Sequence, residues 1–219
     1  MAKLPVPGQV KTRLSPPLTP AEAADLARAF LLDKIAQVSR LPGVERFMAF
    51  SPPDASAEFR AITGGKYGLI RQAGADLGER LSGLSERLLA TALPAAAIVG
   101  TDSPTLSDDC ILEAVDILAS GRADVVLGPV EDGGYYLIGL RTPSPFLFRD
   151  ITWSTPHVLR DTLARAETAG CRVHLLPVWY DVDTETDLRR LARDLAVAPE
   201  SAPQTARCIH ALRSLGSTG

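Results

Sequence analysis

The sequence predicts an α/β fold with a mostly parallel sheet and helices on both faces, and three observations predict it. Short apolar runs alternate with amphipathic stretches along almost the whole chain. Helix-start signals stand just ahead of several of those stretches, as at Thr19-Pro20-Ala21-Glu22, Ser107-Asp108-Asp109 and Thr184-Glu185. One apolar run, Ala95 to Val99, stops abruptly at Gly100-Thr101-Asp102-Ser103-Pro104. It is long enough for a buried strand and too short for a helix. Strands alternating with helices place crossover helices over a parallel sheet. No internal repeat or low-complexity linker interrupts the pattern, so one domain over residues 1–219 is expected.

The elements follow in order. Residues 3 to 18 form a loop rich in Pro, Gly and basic side chains. Thr19 and Glu22 make a capping box with Pro20 at the first helical position. Leu26, Phe30 and Leu31 then line one face of a helix to about Val38. Pro42-Gly43 leads to a strand over Val44 to Phe50 and the loop Ser51-Pro52-Pro53. Leu69 to Gln72 is a short strand and Leu77 to Ala90 a helix. After the strand ending near Asp102, a helix covers Ser107 to Ala119, with Asp108 and Asp109 favouring its N-terminus. Asp124 to Gly128 and Tyr135 to Leu140 are strands. Thr155 to Ala169 is a helix stopped by Gly170, Val173 to Val178 a strand, and Thr184 caps a long helix. Ala196 to Pro203 is a loop before a short terminal helix.

Composition narrows the function. With 46% hydrophobic and 22% charged residues and a formal net charge of −3, the chain offers no reason to bind nucleic acid or an anionic membrane. Its apolar stretches fall far short of a membrane span. No hydrophobic segment follows Met1-Ala2-Lys3, so no signal peptide is expected. Cys110, Cys171 and Cys208 are odd in number and widely spaced, which fits a reduced, cytoplasmic setting.

Four constellations could carry chemistry. Asp102 falls at the carboxyl end of a strand read as central and parallel, the edge where α/β sheets bind ligands. There it would hold a divalent metal, an amine or a ribose, or else cap a helix, although Ser107 is better placed to cap. Lys3, Lys11 and Arg13 lie on a Pro/Gly loop with Gly8. The loop is either a phosphate seat or a solvated basic surface, and it is neither a P-loop nor a GxGxxG turn. Tyr180-Asp181-Val182-Asp183-Thr184 puts Asp181 and Asp183 on one side of an extended segment. Either could join Asp102 at Mg²⁺ or Mn²⁺, or Asp183 or Thr184 could simply cap the next helix. Gly128 to Tyr136 joins two strands. It reads as a plain Asp132-Gly133 hairpin or as a close approach to a ligand, with Glu131 and Asp132 side by side. Before Leu77, Asp76 is an N-cap candidate, and a helix start near a sheet edge can also meet a nucleotide. His157, His174 and His210 lack triad or metal spacing.

Together these stretches resemble a small bacterial GT-A-like family, the radical-SAM/selenodomain-associated transferase 1 group, some of whose members are described as arsenosugar-biosynthesis glycosyltransferases. The matching segments are AKLPVPGQVKTRL ending at Leu14, QAGADLGER from Gln72 to Arg80, GTDSP from Gly100 to Pro104, GPVEDGGYY from Gly128 to Tyr136, TWST at Trp153 and DVDTETD from Asp181 to Asp187. The wider superfamily also looks like the molybdenum-cofactor and phospholactate guanylyltransferases. The resemblance implies a nucleotide-diphospho-sugar transferase fold and a metal-dependent glycosyltransferase using a nucleotide-sugar donor on a small-molecule acceptor. The alternatives are a nucleotidyltransferase that takes a nucleoside triphosphate and releases pyrophosphate, and a non-catalytic nucleotide-binding protein.

The same resemblance assigns phosphate binding to Lys3, Gly8, Lys11 and Arg13, and metal to Asp102 and Asp183, less surely Asp181. Gln72 and Gly78 would lie beside the base, with Gly133, Gly134, Tyr135 and Trp153 on the sugar or acceptor side. Asp132, on the loop expected to face the acceptor, is the candidate base. Two departures stand out. The family carries an apolar strand ahead of its AK-x-P-x-P-G segment, so a first strand is expected to be missing before residue 1. GTDSP also offers a lone Asp where many glycosyltransferases have D-x-D.

Overall fold

A computed structural model gives the structure, described for residues 1–91 and 93–216. In chain order the elements are β1 (Ala2–Lys3), α1 (Pro20–Arg40), β2 (Phe47–Ser51), α2 (Ser56–Ile62), β3 (Gly68–Arg71), α3 (Leu77–Leu89), β4 (Ala96–Val99) and α4 (Asp108–Ala119). Then come β5 (Val125–Pro129), β6 (Tyr135–Leu140), α5 (Val158–Thr168), β7 (Val173–Leu175), α6 (Glu185–Val197) and α7 (Pro203–Gly216). The strands lie in a three-stranded sheet, β1-β2-β3, and a four-stranded sheet, β4-β6-β5-β7. The chain divides into two compact units. One holds Ala2–Leu69, Thr101–Ser107 and Asp181–Gly219; the other holds Met1, Ile70–Gly100 and Asp108–Tyr180.

The first unit is organised by α1. Its capping box forms as expected: the Glu22 amide donates to Thr19 Oγ1 at 3.3 Å and the Thr19 amide to Glu22 Oε2 at 2.7 Å. One face of α1 meets a core of Leu31, Met48, Phe50, Phe59 and Tyr67. The Phe50 and Phe59 rings are 5.4 Å apart, a spacing typical of favourable aromatic pairs. Ala2 of β1 lies opposite Phe50 in a parallel pair. Buried polar side chains of α1 serve other segments. Asp33 accepts from the Gln204 and Thr205 amides at 2.9 and 2.8 Å, so α1 caps the N-terminus of α7. Lys34 Nζ donates to the Ser103 carbonyl at 3.2 Å, and Gln37 Nε2 to the Leu106 carbonyl at 2.6 Å. These two bonds tie the Asp102 loop to a rigid helix.

In the second unit β5 and β6 are almost wholly buried, as their unbroken apolar sequences require. β5 pairs parallel with β7, but β6 runs antiparallel to both β5 and β4. The expectation of a parallel strand leading to Asp102 is therefore corrected: β4 pairs antiparallel, Ile98 facing Ile138. The cause is the short link between β5 and β6, which leaves no room for a crossover. It folds as the plain hairpin, the Gly133 amide donating to the Val130 carbonyl at 3.0 Å and the Val130 amide to the Gly134 carbonyl at 3.1 Å. The Met1 nitrogen donates to the Val99 carbonyl at the end of β4 at 2.9 Å.

Some boundaries differ from the sequence reading. The strand expected from Val44 begins at Phe47, and just ahead of it the Arg46 side chain donates to the Val38 and Leu41 carbonyls at the end of α1. The strand expected to reach Val178 stops at Leu175; Pro177 has no N–H to donate, and pairing resumes as a single Val130–Trp179 bridge. Helix α2 was not foreseen. It is seven residues long and is fixed by the fully buried Phe59.

Candidate functional site

The site is built in the first unit from three loops. Lys11 lies on the loop after β1, in the left-handed region at φ 47° and ψ 36°, a conformation that a non-glycine residue keeps only when its surroundings enforce it. A 3₁₀ turn, Thr12–Leu14, follows, with Leu14 fully buried and its amide donating to the Lys11 carbonyl at 2.9 Å. That anchor directs the Lys11 side chain inward past the Phe30 ring, whose centroid is 5.5 Å from Nζ.

Two carboxylates converge on this ammonium. Nζ lies 2.6 Å from Asp102 Oδ1 and 2.9 Å from Asp183 Oδ1, and it donates to the Val182 carbonyl at 2.8 Å. The Val182 amide in turn donates to the Asp102 carbonyl at 2.9 Å, so the two acidic segments are stitched together beside the lysine. The Lys11 side chain is 7% exposed, while those of Asp102 and Asp183 are 47% and 36% exposed. Burial opposes the charge on Lys11, but the two carboxylates outweigh it and hold its pKa above the ordinary lysine value. Arg13 Nη1 stands 3.7 Å from Asp183 Oδ2, with its guanidinium 69% exposed.

Asp183 is available because Thr184 does the capping. Thr184 Oγ1 accepts from the Asp187 amide at 3.4 Å, and Asp187 Oδ2 accepts from the Thr184 amide at 2.8 Å. Asp181 accepts from the Ser103 hydroxyl and lies within electrostatic reach of Lys11, Asp102 and Asp183. Burial pushes the Asp181 carboxyl up to about 6; the Ser103 hydrogen bond and Lys11 lower it, and Asp102 and Asp183 raise it. Sequence reasoning missed Ser103 as a partner, although its place next to Asp102 in GTDSP was the available signal.

Lys3 and Gly8 shape the same loop. Lys3 Nζ donates to the Gln9 carbonyl at 2.8 Å. Gly8 has φ +74° in the turn closed by the Gln9 amide on the Val6 carbonyl, a conformation that suits glycine.

The remaining candidates belong to the second unit. Asp76 caps α3, accepting from the Glu79 amide at 2.8 Å. Gly78, on the first turn of α3, packs where a Cβ would come within 2.7 Å of Trp153 Nε1 and 2.9 Å of the Phe148 carbonyl, so Gly78 and Trp153 are neighbours. Gln72 lies in the loop between β3 and α3. Asp132 is exposed on the hairpin, and its Oδ1 accepts from the Gly134 amide at 3.1 Å. Gly133 has φ +89° and abuts the Pro156 carbonyl. Burial raises the Tyr135 phenol well above its ordinary value, leaving it neutral. Cys110, Cys171 and Cys208 are all free thiols.

The donor set fits a divalent cation of the magnesium type. Among the described residues no three His, Cys, Asp or Glu side chains gather as a protein-only metal site. Magnesium needs only one or two carboxylates when substrate phosphates and water supply the rest, and Asp102 and Asp183 already converge on one positive charge. No helix among the described residues is long and apolar enough to cross a membrane.

The α/β fold is that of a nucleotide-diphospho-sugar transferase-like protein, as the comparisons show. A solved protein from Desulfovibrio desulfuricans G20, provisionally named a nucleotide-diphospho-sugar transferase, is 31% identical over 98% of this chain and 93% of that one, with a TM-score of 0.90. Residues 34–155 match the model of DUF2064, described as an uncharacterized protein conserved in bacteria, and the chain belongs to that family. It is also 28% identical over 186 residues to the 2-phospho-L-lactate guanylyltransferase of Methanothermobacter thermautotrophicus strain Delta H, covering 81% of this chain and 76% of that protein. The CMP:2-keto-3-deoxy-manno-octonic acid synthetase solved with CTP shares the fold at 11% identity and a TM-score of 0.53, over 77% of this chain and 88% of its own.

Proposed function

We propose that the protein is a metal-dependent glycosyltransferase that takes a nucleotide-sugar donor and a small-molecule acceptor, as in the radical-SAM/selenodomain-associated transferase 1 group its motifs resemble. The observation that carries the reading is the convergence of Lys11, Arg13, Asp102 and Asp183. Asp102 and Asp183 would hold Mg²⁺ or Mn²⁺, which supplies neutralisation of the leaving diphosphate. Arg13 and Lys3 add charge-assisted hydrogen bonds to the phosphates, and the Gly8 turn lets the backbone approach them. Gln72 and Gly78 belong to the base side of the proposal. Gly133, Gly134, Tyr135 and Trp153 belong to its acceptor side, with Asp132 as the base that takes the acceptor proton. The free cysteines support a cytoplasmic setting.

A second reading, transfer of a nucleotidyl group with release of pyrophosphate, is favoured by the likeness to the guanylyltransferase. The same cations serve an attack at the α-phosphate. Product analysis separates the two. The full chain is incubated with Mn²⁺, a panel of nucleotide sugars or nucleoside triphosphates, and candidate acceptors. Free nucleoside diphosphate supports glycosyl transfer, pyrophosphate supports the second reading, and neither product from any donor contradicts both.

A further inference from the structure

We propose that Lys11 is a built-in counter-ion that occupies the cation position of the Asp102–Asp183 pair, so that a divalent cation enters only together with a phosphate chain. The inference rests on the nucleotide-and-metal reading above and goes beyond it in assigning Lys11 to metal exclusion for as long as no phosphate chain is bound. An ammonium has three N–H donors. All three are committed, to Asp102 Oδ1 at 2.6 Å, Asp183 Oδ1 at 2.9 Å and the Val182 carbonyl at 2.8 Å. In this arrangement none is left for a phosphate oxygen. Nor is this a flexible rim lysine, since its side chain is 7% exposed and lies against Phe30. Its backbone is held left-handed at φ 47° by the buried Leu14 turn.

The ammonium's position supplies the selectivity. Lys11 lies between Asp102 and Asp183, with Arg13 beside Asp183, so the two carboxylates a lone dication would need are already engaged by a cation; Asp181, held by Ser103, is the one acidic group of the cluster left outside that pairing. A lone Mg²⁺ or Mn²⁺ would have to separate the buried ammonium from both carboxylates without offering it a new acceptor, and leaving a buried charge unpaired is strongly unfavourable. A triphosphate changes the balance. It brings several negative charges and new acceptors for Lys11 Nζ, and it carries ligands for the metal. Lys11 thereby makes occupancy by metal conditional on occupancy by nucleotide.

The test uses Mn²⁺ and inorganic triphosphate as probes, with two readouts: Mn²⁺ retained by the protein in equilibrium dialysis, and the melting temperature. The proteins are the full chain, Lys11→Met and Lys11→Gln, the last keeping a donor in case the apolar variant folds poorly. Wild type is expected to bind Mn²⁺ at least tenfold more weakly without triphosphate than with it. The Lys11 variants are expected to bind Mn²⁺ alone at least tenfold more tightly than wild type, with a rise in melting temperature that wild type does not show. If wild type holds Mn²⁺ alone as tightly as the variants do, the counter-ion role is overturned. If wild type takes up Mn²⁺ with triphosphate but folded Lys11 variants gain nothing, that role is overturned while the metal reading stands. If no protein takes up Mn²⁺ under either condition, the metal reading fails and the counter-ion role fails with it.

Discussion

Asp183 and Thr184 are neighbours with separate tasks: the Thr184 hydroxyl closes the N-terminus of α6 with Asp187, while the Asp183 carboxylate turns to Lys11 Nζ at 2.9 Å. Thr184→Ala is therefore expected to cost about 1 kcal/mol of stability, the usual worth of an N-cap, and to leave nucleotide affinity within about threefold of wild type. Asp183→Asn is expected to do the reverse, keeping the fold and losing Mn²⁺-dependent nucleotide binding. Thermal melts and calorimetric titrations of the two variants check this. Equal loss of binding in both would return Asp183 to a helix-end role.

Arg13 is the exposed cation of the loop, 3.7 Å from Asp183. Arg13→Ala should leave the melting temperature unchanged, because exposed ion pairs contribute little. It should weaken nucleotide affinity about tenfold to a hundredfold, the worth of one charge-assisted hydrogen bond of roughly 1.5–3 kcal/mol. Unchanged affinity would leave the loop a solvated basic surface.

Gly78→Ala places a methyl group 2.7 Å from Trp153 Nε1 and 2.9 Å from the Phe148 carbonyl. It should destabilise by about 1–3 kcal/mol, as overpacking does. Gly133→Ala should cost more. Its Cβ would lie 2.1 Å from the Pro156 carbonyl and its φ is +89°, so steric and backbone strain add. Urea midpoints of the two variants test the order, which a milder effect at Gly133 would refute.

Much of the fold was legible in the sequence because its signals are local. Thr19 with Glu22, Asp76, and Thr184 with Asp187 all cap the helices that their spacing implies. The antiparallel course of β6 was less visible, since periodicity does not encode strand direction; the short Val130–Gly134 link was the only clue. At the site, the strand-end position of Asp102 was readable and the convergence of Lys11 with Asp183 was not, because 172 positions separate those residues. Asp33 capping α7 and Lys34 holding Ser103 were hidden for the same reason: buried polar residues on α1 give no periodic signal of their own.

Asp124 gives the protein a pH dependence outside the site. The Arg172 side chain and amide hydrogen-bond its carboxyl and hold it down to about 2 from 3.8. A carboxyl depressed in the folded state stabilises above its unfolded pKa and loses that contribution as pH falls through the folded value. The Asp124–Arg172 contribution should thus be complete above about pH 4 and decline toward pH 2. It should be small, because both groups face solvent. Asp124→Asn is expected to flatten that part of the acid limb in urea melts, and an unchanged limb would exclude the pairing as its source.

Joint binding of nucleotide phosphates and a divalent cation at the Asp102 loop is tested by a thermal-shift panel. Nucleoside triphosphates and nucleotide sugars are added to wild type and to Asp102→Asn, each with and without Mn²⁺. A ligand that binds only the folded state raises the melting temperature. A rise of several degrees is expected for wild type with nucleotide and Mn²⁺ together, and no such rise for Asp102→Asn. A rise of equal size in Asp102→Asn, or no rise for wild type with any nucleotide, would contradict joint binding at this loop.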